Sequence, residues 1–206
     1  MDRDTVWRHI HDQRRALAGT LADLAPEEWE HESLCPGWTV RDVAAHVIST
    51  AHVGVVDLLR MAPSFRHGYN RAIFLETKKL GRAPVVEILA DYERYDGSRH
   101  HVATTTTLEP LLDALVHSQD VARPLGRRLD LHPQAAAIAA DRARLLSPFF
   151  GTFRLVRSVR MVATDTDWTR GSGPLVEGPI SELLMLTTGR TPYPGSLSGE
   201  GVPPAG

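Results

Sequence analysis

The chain has 206 residues, of which 42% are hydrophobic and 23% are charged, and its formal net charge is -2. This composition is typical of a soluble globular protein of one domain with, at most, a small appendage. A single cysteine, Cys35, excludes an internal disulfide and a cysteine-rich zinc finger. The near-neutral charge argues against nucleic acid as a partner, and no apolar run of about 18 residues indicates a membrane span. A cytoplasmic protein is therefore expected.

Amphipathic helices are predicted along the first two thirds of the chain. Apolar residues at helical spacing place them at about residues 2 to 24, 40 to 58, 84 to 95 and 108 to 125. The second helix follows a turn at Cys35-Pro36-Gly37-Trp38, and Thr39 with Asp42 gives it a capping-box pattern. A short helix is allowed around residues 72 to 79. The threonine run 104 to 107 is predicted to break the third helix and to cap the fourth.

The pattern changes after an Ala-rich helix predicted from Pro133 to Leu146. Alternation around residues 158 to 163 and a turn at residues 171 to 174 predict a β-hairpin whose second strand lies near Leu175. A last helix is expected from Pro179 to Gly189, followed by a Pro/Gly-rich tail. The predicted fold is mainly α, with a helical bundle over residues 1–150 and a small α/β appendage over residues 151–206.

His46 lies on the flank of the apolar stripe of the second helix, next to Thr50. The position predicts a buried or half-buried ring. Such a histidine is either a core residue bonded to a carbonyl or a ligand. His52 points about 120° away from His46, so the two do not easily share one ion.

Asp113, His117 and Asp120 project from one strip of the fourth predicted helix, because their spacing is i, i+4 and i+7. A carboxylate and an imidazole one turn apart can both reach an ion held beside a helix. The alternative is a solvated polar face. Cys35 is interpreted as a packed residue in its turn. The remaining histidines considered are predicted to be solvated: His9, His11, His100, His101 and His132.

Several segments occur in a familiar order along nearly the whole chain: Cys35 to His46, His117 to Asp120, Pro124 to Gly126, Ala163 to Asp165, Trp168 and Gly173-Pro174. Together they resemble the mycothiol-dependent maleylpyruvate isomerase family. The resemblance implies a DinB-like antiparallel four-helix bundle that binds a divalent metal ion.

By this resemblance the ion, expected to be zinc, is bound by His46, Asp113 and His117. By the same resemblance, the isomerase of the family has a glutamate at the position that matches Asp113. The shorter aspartate implies an ion closer to the helix backbone or reached through water. The appendage is expected to be short compared with the carboxy-terminal domain of the isomerase, which puts the same substrate in doubt.

The resemblance implies a metal-dependent enzyme that uses a low-molecular-weight thiol such as mycothiol. An external thiol fits this chain, because the chain has no suitable thiol of its own. The metal activates the thiol, which attacks a small-molecule electrophile in an isomerisation or an S-transfer. Asp120 is a candidate partner of His117, or it caps the helix or pairs with Arg123 or Arg127. A non-catalytic metal-binding bundle and a metal-dependent hydrolase are the alternatives. Exposed apolar surface on such bundles often produces dimers, so a homodimer is one expectation.

Overall fold

The computed structural model describes residues 1–102 and 105–204, without the side chains of residues 55, 58, 61, 64 and 67. It divides into two compact units, Met1–Asp130 and Leu131–Gly206. The mainly helical fold with a small sheet near the carboxyl end confirms the predicted fold class. Among the described residues, no helix is long and apolar enough to cross a membrane.

The first unit is entirely helical in its regular structure. Its α-helices are α1 (Arg3–Ala22), α2 (Val40–Ser49), α3 (Val55–Met61), α4 (Tyr69–Leu80), α5 (Val85–Arg94) and α6 (Leu108–Ala122). Short 3-10 turns occupy Glu28–Glu30 and Ala62–His67. The four helices predicted from periodicity, now α1, α2, α5 and α6, pack on one another, and α4 packs on α2.

The apolar stripes of these helices form the core of the first unit. Leu17 of α1, Val43 of α2 and Leu111 of α6 are fully buried. The stripe of α1 is anchored at its start by Asp2, whose side chain accepts a hydrogen bond from the Thr5 backbone. Burial of these stripes drives the packing that brings α2 and α6 side by side.

Helix α2 begins as predicted and ends earlier. Thr39 and Asp42 form the full capping box. The helix stops at Ser49 instead of continuing to residue 58, and Gly54 caps a separate helix α3. Ser49 and Thr50 donate their hydroxyls to backbone carbonyls one turn back, which weakens helix continuation. The side chains of residues 55 and 58, predicted for the same stripe, lie outside the described residues.

The cap of α6 comes from the predicted threonine run. Leu108 donates its backbone N–H to Thr106 Oγ1 at 3.2 Å, and the Thr106 N–H donates to Glu109 Oε2 at 2.7 Å. Thr104, also part of the predicted cap, lies outside the described residues.

The second unit contains α7 (Pro133–Phe150), α8 (Phe153–Ser158), α9 (Ile180–Thr187), β1 (Arg160–Ala163), β2 (Thr169–Gly171) and β3 (Leu175–Gly178). Helix α7 packs on α9 through buried alanines, which permit a close approach of the two backbones. The compact units therefore divide after Asp130, whereas the sequence predicts a domain boundary after residue 150.

The sheet of the second unit differs from the predicted hairpin. Its strand order is β2-β1-β3, with β1 and β2 antiparallel and β1 and β3 parallel. The predicted turn at residues 171 to 174 therefore carries the chain across to the far edge of β1 and does not join two paired strands. Ser198 of the tail forms a bridge with Glu177 of β3.

Candidate functional site

The turn before α2 is fixed by backbone hydrogen bonds and attached to α6. Gly37 has a φ of 78°, a left-handed conformation that favours glycine. Trp38 donates its N–H to the Cys35 carbonyl, and Leu34 donates its N–H to the Asp120 carbonyl at 3.1 Å. The attachment places the Cys35 side chain against the polar strip of α6.

Helix α4 is held against α2 by a buried carboxylate. Asp42 accepts an ion-pair hydrogen bond from Lys78 Nζ at 2.6 Å in addition to its capping bond. Gly81 allows this approach, because a Cβ there would overlap the Asp42 carboxylate. The contact brings the buried Thr77 of α4 next to His46, with Thr77 Oγ1 3.2 Å from His46 Nδ1.

The three predicted ligands converge. His46 Nε2 lies 3.3 Å from Asp113 Oδ2, and His117 Nε2 lies 3.6 Å from Asp113 Oδ1. One donor atom from each residue lies within 4.8 Å of the others. Ligands about 2.0–2.1 Å from a tetrahedral zinc ion are about 3.3–3.4 Å apart, and the two histidine-to-aspartate separations, each to a different Asp113 oxygen, are close to this value.

The protonation of Asp113 suits a ligand. Burial alone would raise the pKa of this carboxyl group, but the charge and hydrogen bond of His46, followed by His117 and Arg14, outweigh burial and lower the pKa to about 2. The side chain keeps 30% of its surface exposed, which leaves it accessible from outside. Asp113 is therefore a carboxylate at neutral pH.

The second ring nitrogen of His117 faces a buried carboxylate. His117 Nδ1 lies 2.8 Å from Asp120 Oδ2, and Cys35 Sγ donates to the same oxygen at 3.1 Å. Asp120 has no exposed side-chain surface. The contact with His117 is one of the alternatives open from the sequence. Arg123 donates to Gln119, and Arg127 pairs with Glu28.

An aromatic ring lies against both histidines. The Trp38 ring centroid is 5.2 Å from that of His46 and 5.9 Å from that of His117. The His46 and His117 rings are 5.1 Å apart and nearly perpendicular. Trp38 is itself buried, so it limits the freedom of both imidazoles on the inner side of the site.

Two polar residues at this site were not singled out from the sequence. Thr77 belongs to a region that gave only a weak helical pattern. Arg14 lies on α1 with 5% of its surface exposed, and its Nη2 donates to Thr50 Oγ1 at 2.9 Å. Burial lowers the pKa of Arg14, and Tyr92 and Asp113 act in the opposite direction. Arginine at an otherwise amphipathic helix position carries no signal that it will be buried.

Three of the five histidines that were predicted to be solvated are half-buried. His11 is half-buried and stacks on Trp7, with ring centroids 5.7 Å apart, and His101 is half-buried on the same indole. His9 is also half-buried, whereas His100 and His132 are exposed as predicted. Contact with the Trp7 indole, which is 1% exposed, accounts for the burial of His11 and His101.

Comparisons with known proteins identify the family and a similar fold. A family model described as the mycothiol maleylpyruvate isomerase N-terminal domain matches residues 10–148. Two crystal structures are similar to 99% of this chain and 95% of their own, each with a TM-score of 0.67. They are a mycothiol-dependent maleylpyruvate isomerase, at 13% identity, and a histidine-to-alanine mutant of that enzyme, at 12% identity. Comparison with curated proteins finds no match.

The coverage corrects one expectation. The carboxy-terminal part of the chain was expected to be short beside that of the isomerase, yet the similarity extends over 95% of the solved chain. The structure shows that short strands and two helices, α8 and α9, complete a fold of nearly equal extent.

Proposed function

Because the chain belongs to the mycothiol maleylpyruvate isomerase N-terminal domain family, we propose that it is a metal-dependent enzyme that uses a low-molecular-weight thiol. The proposed reaction is an isomerisation or an S-transfer on a small-molecule electrophile. Mycothiol is the proposed cosubstrate. The proposed ligands of the metal, which we expect to be zinc, are His46, Asp113 and His117.

One observation carries the proposal: the donor atoms of those three residues converge. The two histidine-to-aspartate separations, 3.3 and 3.6 Å, are those of ligands around a single small cation. Two neutral imidazoles and one carboxylate are also a common catalytic zinc set, and three protein ligands leave one position for an exogenous group. When bound, such an ion supplies a Lewis acid that lowers the pKa of a thiol or a water molecule next to it.

The hydrogen-bond partners of both imidazoles at Nδ1 leave Nε2 available to bind the metal. If His46 binds through Nε2, its proton is on Nδ1, where Thr77 Oγ1 accepts it. If His117 binds through Nε2, its Nδ1–H donates to Asp120. The charge of Asp120 makes His117 a stronger metal ligand. Thr77 and Asp120 also fix the orientations of the two rings.

The single cysteine of the chain is not placed to act as the nucleophile. Cys35 is buried, and its thiol donates to the Asp120 carboxylate. The thiol is thus engaged in a hydrogen bond inside the protein, away from solvent. This arrangement favours a scheme in which the reacting sulfur belongs to a small molecule.

Metal analysis tests the proposed ligands. We expect about one zinc ion per chain in the purified protein and almost none in His117→Ala. His31→Ala is the matched control, because His31 is an exposed histidine of the same unit and lies outside the cluster. Equal metal content in the wild type and His117→Ala would exclude the site.

A cobalt-substituted protein tests the thiol. Addition of a thiol at millimolar concentration should produce a thiolate-to-cobalt absorption band in the wild type. A bound metal without such a band would favour a non-catalytic binding module. Hydrolysis of simple esters in the absence of thiol would favour a hydrolase.

The expected homodimer remains a prediction, which sedimentation analysis of the purified protein can check.

A further inference from the structure

Arg14 is a buried arginine with incomplete hydrogen bonding. Its Nη2 donates to Thr50, but Nε and Nη1 are buried and have no hydrogen-bond partner among the described residues. Burying a guanidinium is costly unless its donors and its charge are matched. Arg14 thus differs from the other buried polar side chain of α1, Gln13, which donates to Ser118 at 2.8 Å.

Arg14 lies near the proposed metal ligands. Thr50, which fixes one end of the guanidinium, is four residues after His46 and so about 6 Å further along the same face of α2. Asp113 interacts electrostatically with Arg14. Arg14 is therefore linked to Asp113 by charge and, through Thr50, to the end of the helix that carries His46.

We propose that Arg14 is an anion-binding residue that holds a carboxylate group of the small molecule reacting at the metal. This inference rests on the proposed function. A metal ion takes up the negative charge of Asp113, which leaves the guanidinium without a full counterion and the surroundings of the open position positive. A carboxylate supplies the charge and two oxygen acceptors for the unused donors, and charge-assisted bonds of this kind are strong.

Water is the competing explanation. Arg14 also lines a cavity of about 30 Å³ with Arg15, Ile48, Tyr92 and Asp96, and the proposed metal ligands do not line it. That volume holds two or three water molecules, which could solvate the guanidinium without any ligand. A test must therefore separate recognition of a carboxylate from simple hydration.

The test uses two thiols that differ in charge. Cobalt-loaded protein is titrated with 3-mercaptopropionate and with 2-mercaptoethanol, and the thiolate-to-cobalt band reports binding of each. We expect the wild type to bind 3-mercaptopropionate at least about tenfold more tightly, and Arg14→Gln to bind the two within about twofold. Arg8→Gln is the matched control, because Arg8 carries the same charge on the same helix but is exposed and does not line the cavity. It should keep the wild-type preference.

Two outcomes of this titration would overturn the inference. Equal binding of the two thiols by the wild type, or an equal preference in Arg14→Gln, would assign the buried donors to water. If Arg14→Gln does not fold, Arg14→Lys serves in its place. It keeps the charge but loses the planar donor array, so we expect a preference below that of the wild type and above unity.

Titration with succinate, which has no thiol, separates the two sources of the carboxylate. If succinate competes more strongly with 3-mercaptopropionate than with 2-mercaptoethanol in the wild type, but equally with both in Arg14→Gln, Arg14 also binds a carboxylate on a separate molecule. If no cobalt binds, the proposed function fails by itself. Thermal unfolding of the metal-free protein then decides: stabilisation by succinate over chloride in the wild type but not in Arg14→Gln supports the inference, and equal responses overturn it.

Discussion

Polar groups are buried in both units, but they are satisfied in different ways. In the second unit, the buried hydroxyls of Ser147, Thr152 and Thr187 each donate to a backbone carbonyl. In the first unit, the buried hydroxyls of Ser118 and Tyr92 also donate to carbonyls. Buried or half-buried polar side chains there contact one another as well, as in the chain from Cys35 to Asp120 to His117. Bonds to the backbone complete the fold, whereas contacts between side chains orient particular atoms.

The difference teaches how to recognise the site without a bound ligand. A buried hydroxyl that returns to its own helix requires nothing beyond that helix. A buried imidazole with separate partners on its two nitrogens has a defined tautomer and a defined orientation. The first unit also contains Arg14, whose donors are incompletely used among the described residues. The following predictions test whether the first unit is organised for binding and the second for packing.

The largest effect on stability is expected from the packing of the second unit. Leu184 of α9 is fully buried, and Leu184→Ala should reduce the free energy of unfolding by about 2–5 kcal/mol. Urea denaturation measures this loss. Metal affinity of the folded variant should be unchanged, because the proposed ligands all lie in the first unit. A folded variant that no longer binds zinc would remove the distinction between the two units.

A polar substitution in the first unit should change metal affinity more than stability. Asp120→Asn keeps the shape of the side chain but removes the charge facing His117, so zinc affinity should fall about 10–100-fold. Competition with a chelator measures the affinity. Asp12→Asn, an exposed aspartate on α1, is the control. An unchanged zinc affinity in Asp120→Asn would show that the carboxylate only packs against the ring.

Acid should affect the site of the metal-free protein. The pKa of Asp113 is lowered to about 2, below its ordinary value of 3.8, so its contribution to stability is present above about pH 4 and is lost as the pH falls towards 2. The contribution at neutral pH is at most about 2 kcal/mol. We expect the stability difference between the wild type and Asp113→Asn to shrink from pH 6 to pH 3. A difference independent of pH would contradict the charged role of this carboxylate.

The smallest effect on stability is expected at Arg14. Arg14→Met removes a buried charge and keeps much of the volume, so the free energy of unfolding should change by less than about 1 kcal/mol or should increase. Thermal or urea unfolding of the metal-free protein checks this. A loss of several kcal/mol would place Arg14 among the residues that hold the fold together, like those of the second unit.

Local sequence patterns predicted most of the secondary structure. The capping box of Thr39 and Asp42 starts α2, and the four periodic segments of the first unit are all helices. The early end of α2 was missed, because its apolar pattern continues into α3 across a break formed by hydroxyl bonds to the backbone. The strand near Leu175 was expected to pair with the strand at about residues 158 to 163 as a hairpin, but the two are parallel and β2 was missed, because short strands do not specify the direction or the neighbour of their pairing.

The sequence by itself determined the relation between Asp113 and His117, because residues four apart on a helix lie on one face whatever surrounds the helix. It also predicted a buried or half-buried His46 from the stripe of α2. Only the tertiary structure brought His46 within 3.3 Å of Asp113, turned His117 Nδ1 towards Asp120 and buried Arg14. These contacts join residues far apart in the chain, and their distances depend on how the helices rotate and pack, which local spacing does not specify.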